Sequence, residues 1–130
     1  MRCSRAAMAL RSLIVDDNTH FLAAARDLLE RQGMDVVAVA STGAEAVTLA
    51  AVLHPDIALV DVDLGEESGL DVARELTAGD RQARVVLISA YSESDFADLI
   101  AASPAVGFLS KAELLVAGIE EVLRTREDRS

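Results

Sequence analysis

Cysteine, proline and basic residues are all scarce in this chain, and each scarcity removes a class of protein from consideration. The one thiol, Cys3, lies near the N-terminus, so no intramolecular disulfide can form. A reducing compartment, the cytoplasm, is the natural expectation. Two prolines in 130 residues, with 52% hydrophobic content, are unlike a disordered composition. Lysine and arginine total 12 against 22 aspartates and glutamates, a formal net charge of −10. Such a surface repels DNA, RNA and anionic membranes. Long unbroken apolar runs are also missing. The apolar stretch after Arg2 and Arg5 is interrupted by Arg11 and ends at Asp16-Asp17. That is too short for a membrane span or a secretory signal.

What is present has a regular order. Five short apolar runs recur: Leu13-Ile14-Val15, Val36-Val37-Ala38-Val39, Ile57-Ala58-Leu59-Val60, Val85-Val86-Leu87-Ile88 and Val106-Gly107-Phe108-Leu109. They are nearly continuous rather than alternating, which predicts strands buried on both faces, as in a parallel sheet. Between them the apolar residues recur at helical spacing. The first stripe is Phe21, Ala25, Leu28, Leu29 and Gln32, and the second is Ala46, Leu49, Ala50 and Leu53. The third is Leu70, Ala73 and Leu76, the fourth Phe96, Leu99 and Ile100, and the last Leu115, Ile119, Val122 and Leu123. Asn18, Thr42, Ser68 and Ser92 are expected N-caps, and Gly33 is a stop for the first helix. Arg124, Arg126 and Arg129 alternate with acids and read as a solvated helix end.

A strand-helix unit repeated five times implies parallel strands with right-handed crossovers and helices on both faces. The expected fold is α/β, a three-layer doubly wound sheet. Residues 10–125 are expected to form one domain, with 1–9 a loose extension and 126–130 a tail. Met8 is an alternative start. No output domain is expected after Arg124.

Chemistry is expected where polar residues end the apolar runs. The first run ends in Asp16-Asp17, the third in Asp61-Val62-Asp63, the fourth in Ser89, and the fifth in Ser110-Lys111. Parallel strands share one carboxyl rim, and open α/β sheets bind ligands there. Each residue alone has an ordinary explanation as a cap, a core residue or a surface charge. Together they put several carboxylates, one hydroxyl and one ammonium in one crevice. Clustered carboxylates require charge compensation, and hard oxygen donors with room for water suit Mg²⁺. A carboxylate beside a cation and a lysine can attack phosphorus.

In type, order and placement, Asp16-Asp17, Asp61, Ser89 and Lys111 resemble the receiver domain of bacterial two-component response regulators, over about Leu10 to Arg124. The resemblance implies a flavodoxin-like (βα)5 fold with strand order 2-1-3-4-5. It implies a signalling module rather than an enzyme, one whose only catalysis is its own phosphoryl uptake and autodephosphorylation. Asp61 would be the phosphoacceptor. Asp16, Asp17, Asp61 and the backbone carbonyl of Asp63 would hold Mg²⁺, with Mn²⁺ as a substitute. Ser89 and Lys111 would contact the phosphoryl group, and Ser89 and Phe108 would form the switch. Ala90 matches the small residue beside the phosphate, and Gly69 the glycine eight residues after the acceptor. The implied partners are a sensor histidine kinase or phosphotransfer protein, a downstream protein on the face of the fourth helix, fifth strand and fifth helix, and a second copy in a homodimer. Direct contact with nucleic acid or membrane is not expected.

Three departures from the family pattern stand out. Gly65 replaces a usual proline and with Glu66-Glu67 is expected to make a flexible, acidic loop, Asp63 adds a carboxylate near the acceptor, and Ala112 replaces the proline after the lysine. A cis bond before a non-proline costs about 3–4 kcal/mol, so Lys111-Ala112 is expected to be trans. Two rival functions remain. One is a receiver-fold interaction module that phosphate does not regulate. The other rests on Asp61-Val62-Asp63-Leu64, which resembles the nucleophile motif of haloacid-dehalogenase-type phosphatases. That motif lies on the third strand here, not the first, and leaves Asp16-Asp17 without a place. His20 and His54 read as surface residues.

Overall fold

The apolar runs become the strands of one parallel sheet. The computed structural model describes residues 10–79, 84–90 and 97–114. Strands β1 (Arg11–Val15), β2 (Asp35–Ala40) and β3 (Ile57–Asp61) alternate with helices α1 (Thr19–Arg31) and α2 (Gly43–Leu53). Two short strands follow, β4 (Asp63–Leu64) and β5 (Glu67–Ser68), and then α3 (Gly69–Gly79). Strand β6 (Arg84–Ser89), helix α4 (Ala97–Ala101), strand β7 (Gly107–Ser110) and helix α5 (Lys111–Leu114) complete the described elements. The main sheet runs β2-β1-β3-β6-β7. Counting only its own five strands, that is the order 2-1-3-4-5.

Alternate residues of each strand enter different cores, which is why the runs are apolar throughout. Leu13, Val15, Ala58, Val60, Val85, Leu87 and Phe108 pack with Ala46, Ala50, Ala73 and Leu76 of α2 and α3. On the other face, Ile14, Ile57, Leu59, Val86, Ile88 and Leu109 pack with Leu22, Ala25 and Leu29 of α1 and with Leu114 of α5. Hiding one such aliphatic side chain contributes about 1.5–3 kcal/mol, so a one-residue slip of any central strand would be strongly unfavourable. The expected three layers follow.

The helix ends are built locally. The Asn18 side chain accepts from the Phe21 N–H, and Thr42 Oγ1 accepts from the Glu45 N–H. Glu45 reaches back to the Ser41 N–H, a reciprocal capping arrangement. Ser68 Oγ accepts from the Leu70 N–H. Gly33, at φ 95°, donates to Glu30 after α1 ends. The Lys111–Ala112 bond is trans, as are the other described peptide bonds.

Some expected stripes shift. In α1 the buried residues are Leu22, Ala25 and Leu29, while Phe21 is half-buried and Gln32 is an exposed C-cap. In α4, Ile100 packs on the core but Leu99 is 52% exposed. A helix of little more than one turn cannot turn both neighbours toward the sheet. Phe96, Ser92, Leu115, Ile119, Val122, Leu123 and the three C-terminal arginines lie outside the described residues.

Candidate functional site

Parallel register brings the strand ends level. Val15 pairs with Val60, Asp61 with Ile88, and Ser89 with Ser110. Asp16, Asp61, Ser89 and Lys111 therefore emerge at one rim. Asp61, Ser89 and Lys111 line a cleft of about 260 Å³ together with Asp17, Asp63 and Ala90, and Asp16 lies buried behind it against Lys111. The acids of β1 and β3 and the later hydroxyl and amine are thus brought together. Phe108 is buried on the α2–α3 side of the sheet. His20 is exposed on α1. His54 closes α2 at the opposite rim, where its carbonyl accepts from Arg11 Nη1.

Asp16 and Asp61 are both buried, while Asp17 and Asp63 are exposed. Asp16 Oδ1 accepts from the Asn18 N–H at 2.9 Å, and Asp61 Oδ1 accepts from the Asp63 N–H at 3.0 Å. Lys111 Nζ lies 2.7 Å from Asp16 Oδ2 and 3.3 Å from Asp61 Oδ2. The approach to Asp16 compensates charge, but it lies off the direction a hydrogen bond prefers. Among the described residues, Asp16 Oδ2 is a buried oxygen without a directed donor.

The charges of the site do not balance. Carboxylate oxygens of Asp16, Asp17 and Asp61 lie within 4.8 Å of one another. Among the described residues, three carboxylates against the one ammonium of Lys111 leave two negative charges uncompensated. Burial, with help from the charge of Asp16, raises the Asp61 carboxyl from 3.8 to about 6, although the Asp63 N–H and Lys111 oppose the rise. Burial pulls the Lys111 ammonium down, but attraction to Asp16 and Asp61 outweighs it and the net shift is upward. Hard oxygens, a buried acceptor lacking a directed donor and a deficit of two positive charges fit a divalent cation such as Mg²⁺.

The backbone after Asp61 is held by glycines. The segment turns back as a small antiparallel ribbon in which Asp63 faces Ser68 and Leu64 faces Glu67. Gly65 supplies the positive φ of 76° at its tip, as two-residue hairpins with glycine first require. A Cβ there would also meet Asp17 Oδ2 at 3.2 Å. At the base, the Gly69 N–H donates to the Val62 carbonyl at 2.8 Å, and a Cβ on Gly69 would overlap the Asp61 carbonyl. Gly69→Ala should cost about 1–3 kcal/mol through overpacking and should move Asp61. Urea unfolding checks the first effect, and the Asp61 amide chemical shift checks the second. An unchanged midpoint would mean that the loop relaxes freely.

Three features of the site depart from or go beyond the sequence expectations, in which Gly65-Glu66-Glu67 form a flexible acidic loop and Phe21 belongs to a buried stripe. The ribbon is one, and the second is Glu67, whose Oε1 accepts from the Gly43 N–H at the start of α2 at 2.8 Å. The third is Phe21, whose ring centroid lies 4.5 Å from Lys111 Nζ. The Gly65-Glu66 pair was the one available signal for the ribbon. The other two contacts join residues far apart in the chain.

Comparison with known proteins places this geometry in a family. The response regulator receiver domain model matches residues 12–122. The chain is 36% identical over 86 residues to the chemotaxis protein CheY of Bacillus subtilis, covering 66% of this chain and 72% of CheY. It is 32% identical over 106 residues to the transcriptional regulatory protein PdtaR of Mycobacterium tuberculosis, covering 82% of this chain and 51% of PdtaR. The chain thus spans about half the length of the transcriptional regulators it matches. A two-component response regulator of the LuxR family from Aurantimonas superposes with a TM-score of 0.80 and 32% identity, covering 91% of this chain and 87% of that one. No described helix is long and apolar enough to cross a membrane. With the family model matched over residues 12–122 and relatives of this similarity, the chain belongs to the receiver domain family of two-component response regulators.

Proposed function

We propose that Asp61 accepts a phosphoryl group from a histidine kinase or phosphotransfer protein and that residues 10–125 act as the cytoplasmic receiver unit. The observation that carries this reading is the ammonium of Lys111 set between Asp16 Oδ2 and Asp61 Oδ2 at the carboxyl rim. A carboxylate oxygen of Asp61 bonds to phosphorus. The bond from phosphorus to the donor's imidazole nitrogen breaks, and that nitrogen keeps the electron pair. Lys111 and the Ser89 hydroxyl hold phosphoryl oxygens. Asp16, Asp17, Asp61 and the Asp63 carbonyl are the residues that would hold Mg²⁺ or Mn²⁺. When bound, the ion supplies neutralising positive charge for the transferring group.

Output requires differential contacts, because a modification shifts a two-state equilibrium only by what it gains in one state over the other. Ser89 moving toward the phosphoryl oxygens would alter the space around Phe108, and with it the face of α4, β7 and α5. A downstream protein, or a second copy of this chain, would read that face. The net charge of −10 favours a protein over DNA as the direct contact.

Incubation with acetyl phosphate, followed by intact mass, tests the reading. One added phosphoryl group is expected with Mg²⁺, none with a chelator, and none in Asp61→Asn. A modification that survives in Asp61→Asn would move the acceptor. An unmodified wild-type protein would favour a phosphate-independent interaction module, and turnover of many equivalents of an external ester would favour a phosphatase.

A further inference from the structure

The sequence reads Phe21 as part of the buried stripe of α1, but the stripe is Leu22, Ala25 and Leu29 and leaves Phe21 half-buried beside it. Its ring faces the site. Lys111 Nζ lies over the ring at 4.5 Å from the centroid, within the roughly 6 Å range in which an aromatic face attracts a cation. The same nitrogen is the one that touches Asp16 and Asp61.

Phe21 is itself fixed from within the site. Its N–H donates to the Asn18 side chain at 3.1 Å, and the N–H of Asn18 donates to Asp16 Oδ1 at 2.9 Å. Asp16 Oδ2 then meets Lys111. The links close a ring of contacts that runs from Asp16 through Asn18, Phe21 and Lys111 back to Asp16. An ammonium on a long flexible stem has many rotamers, and two carboxylates on one side do not select a single direction of approach. The ring face supplies the other side.

We propose that Phe21 is a positioning residue that holds the Lys111 ammonium at Asp61 through its aromatic face. The inference rests on the reading that Asp61 takes up a phosphoryl group, with Lys111 meeting that group. Leucine at position 21 keeps apolar volume and removes the aromatic face, whereas tyrosine keeps the face. The role is therefore separable from packing.

Two measurements test it. In the metal-free protein, the Lys111 Hε resonances should lie upfield of ordinary lysine positions, because they sit over a ring. Phe21→Tyr should keep that displacement and Phe21→Leu should lose it. With saturating Mg²⁺, the maximal rate of uptake from acetyl phosphate should fall about three- to tenfold in Phe21→Leu. Half-saturation by the donor should stay unchanged, and Phe21→Tyr should stay near wild type. Lys111 resonances at ordinary positions in the wild-type protein would overturn the proposal without need of a variant. Equal rate losses in the leucine and tyrosine proteins would also overturn it, since that pattern reports packing. A wild-type protein that takes up no phosphoryl group would instead sink the assignment of Asp61, and the resonance measurement would still decide the placement of Lys111.

Discussion

Lys111→Met should lower the stability of the metal-free protein by up to about 3 kcal/mol at pH 8, at or below the roughly 3–5 kcal/mol for breaking a fully buried ion pair, because the lysine side chain is partly exposed. Methionine keeps an apolar stem of similar reach, so the loss isolates the charge. The Asp16 carboxylate is wholly buried and Asp61 nearly so, and without the ammonium their charges oppose each other with no cation between them. The deficit should shrink toward pH 5. The folded-state value of Asp61 is already raised to about 6, and loss of Lys111 would raise it further. Protonation then relieves the repulsion at the lower pH. Saturating Mg²⁺ should restore part of the stability at pH 8, because a divalent ion answers the same deficit. Urea denaturation at the two pH values, with and without the metal, reads all of this. A variant as stable as wild type at pH 8 would show that the carboxylates are better hydrated than their burial indicates.

Asp61→Asn should do the reverse and raise the stability of the metal-free protein at pH 7 by up to about 3 kcal/mol, since each tenfold change in proton affinity is worth about 1.4 kcal/mol. The sign follows from proton counts. The carboxyl ionises near 3.8 in the unfolded chain and near 6 in the folded one. Between those values the folded state binds more protons, so stability falls as pH rises through the window. Above it the full penalty remains, and asparagine removes it. Below about pH 4 the gain should vanish, since aspartate is then neutral in both states. The value of about 6 already includes the opposing pull of Lys111 at 3.3 Å, and any polar mismatch of the amide in place of a neutral carboxyl subtracts from the gain, so the figure is a ceiling. A midpoint lowered by Asp61→Asn at pH 7 would contradict the raised carboxyl. The two substitutions act on one ion pair with opposite signs, and their effects should not add.

Much of the fold was legible because the central strands are apolar on both faces. Leu13 to Val15, Ile57 to Val60 and Val85 to Ile88 feed the two cores alternately, so no polar residue interrupts them until the rim. The same fact exposed the site, because Asp16, Asp61 and Ser89 are the first polar residues after each run. Stripes on short or edge helices were less legible. Phe21 and Leu22 are equally apolar, and only tertiary packing decides which of them faces the sheet. Leu99 and Ile100 pose the same ambiguity over a single turn. The β4–β5 ribbon has two residues per strand, too few for a period to show. The Glu67–Gly43 contact spans 24 positions and leaves no local trace.

That ribbon has a thermodynamic consequence for ligand capture. Its base is fastened by Gly69 to Val62, its tip by Gly65, and its far strand by Glu67 at the start of α2. Immobilising a residue costs about 1–2 kcal/mol in backbone entropy. Under the proposed role of the Asp63 carbonyl as a ligand, that entropy is surrendered when the polypeptide folds, before any ion would arrive. Capture is then a preorganised event whose main obstacle is stripping water from the cation.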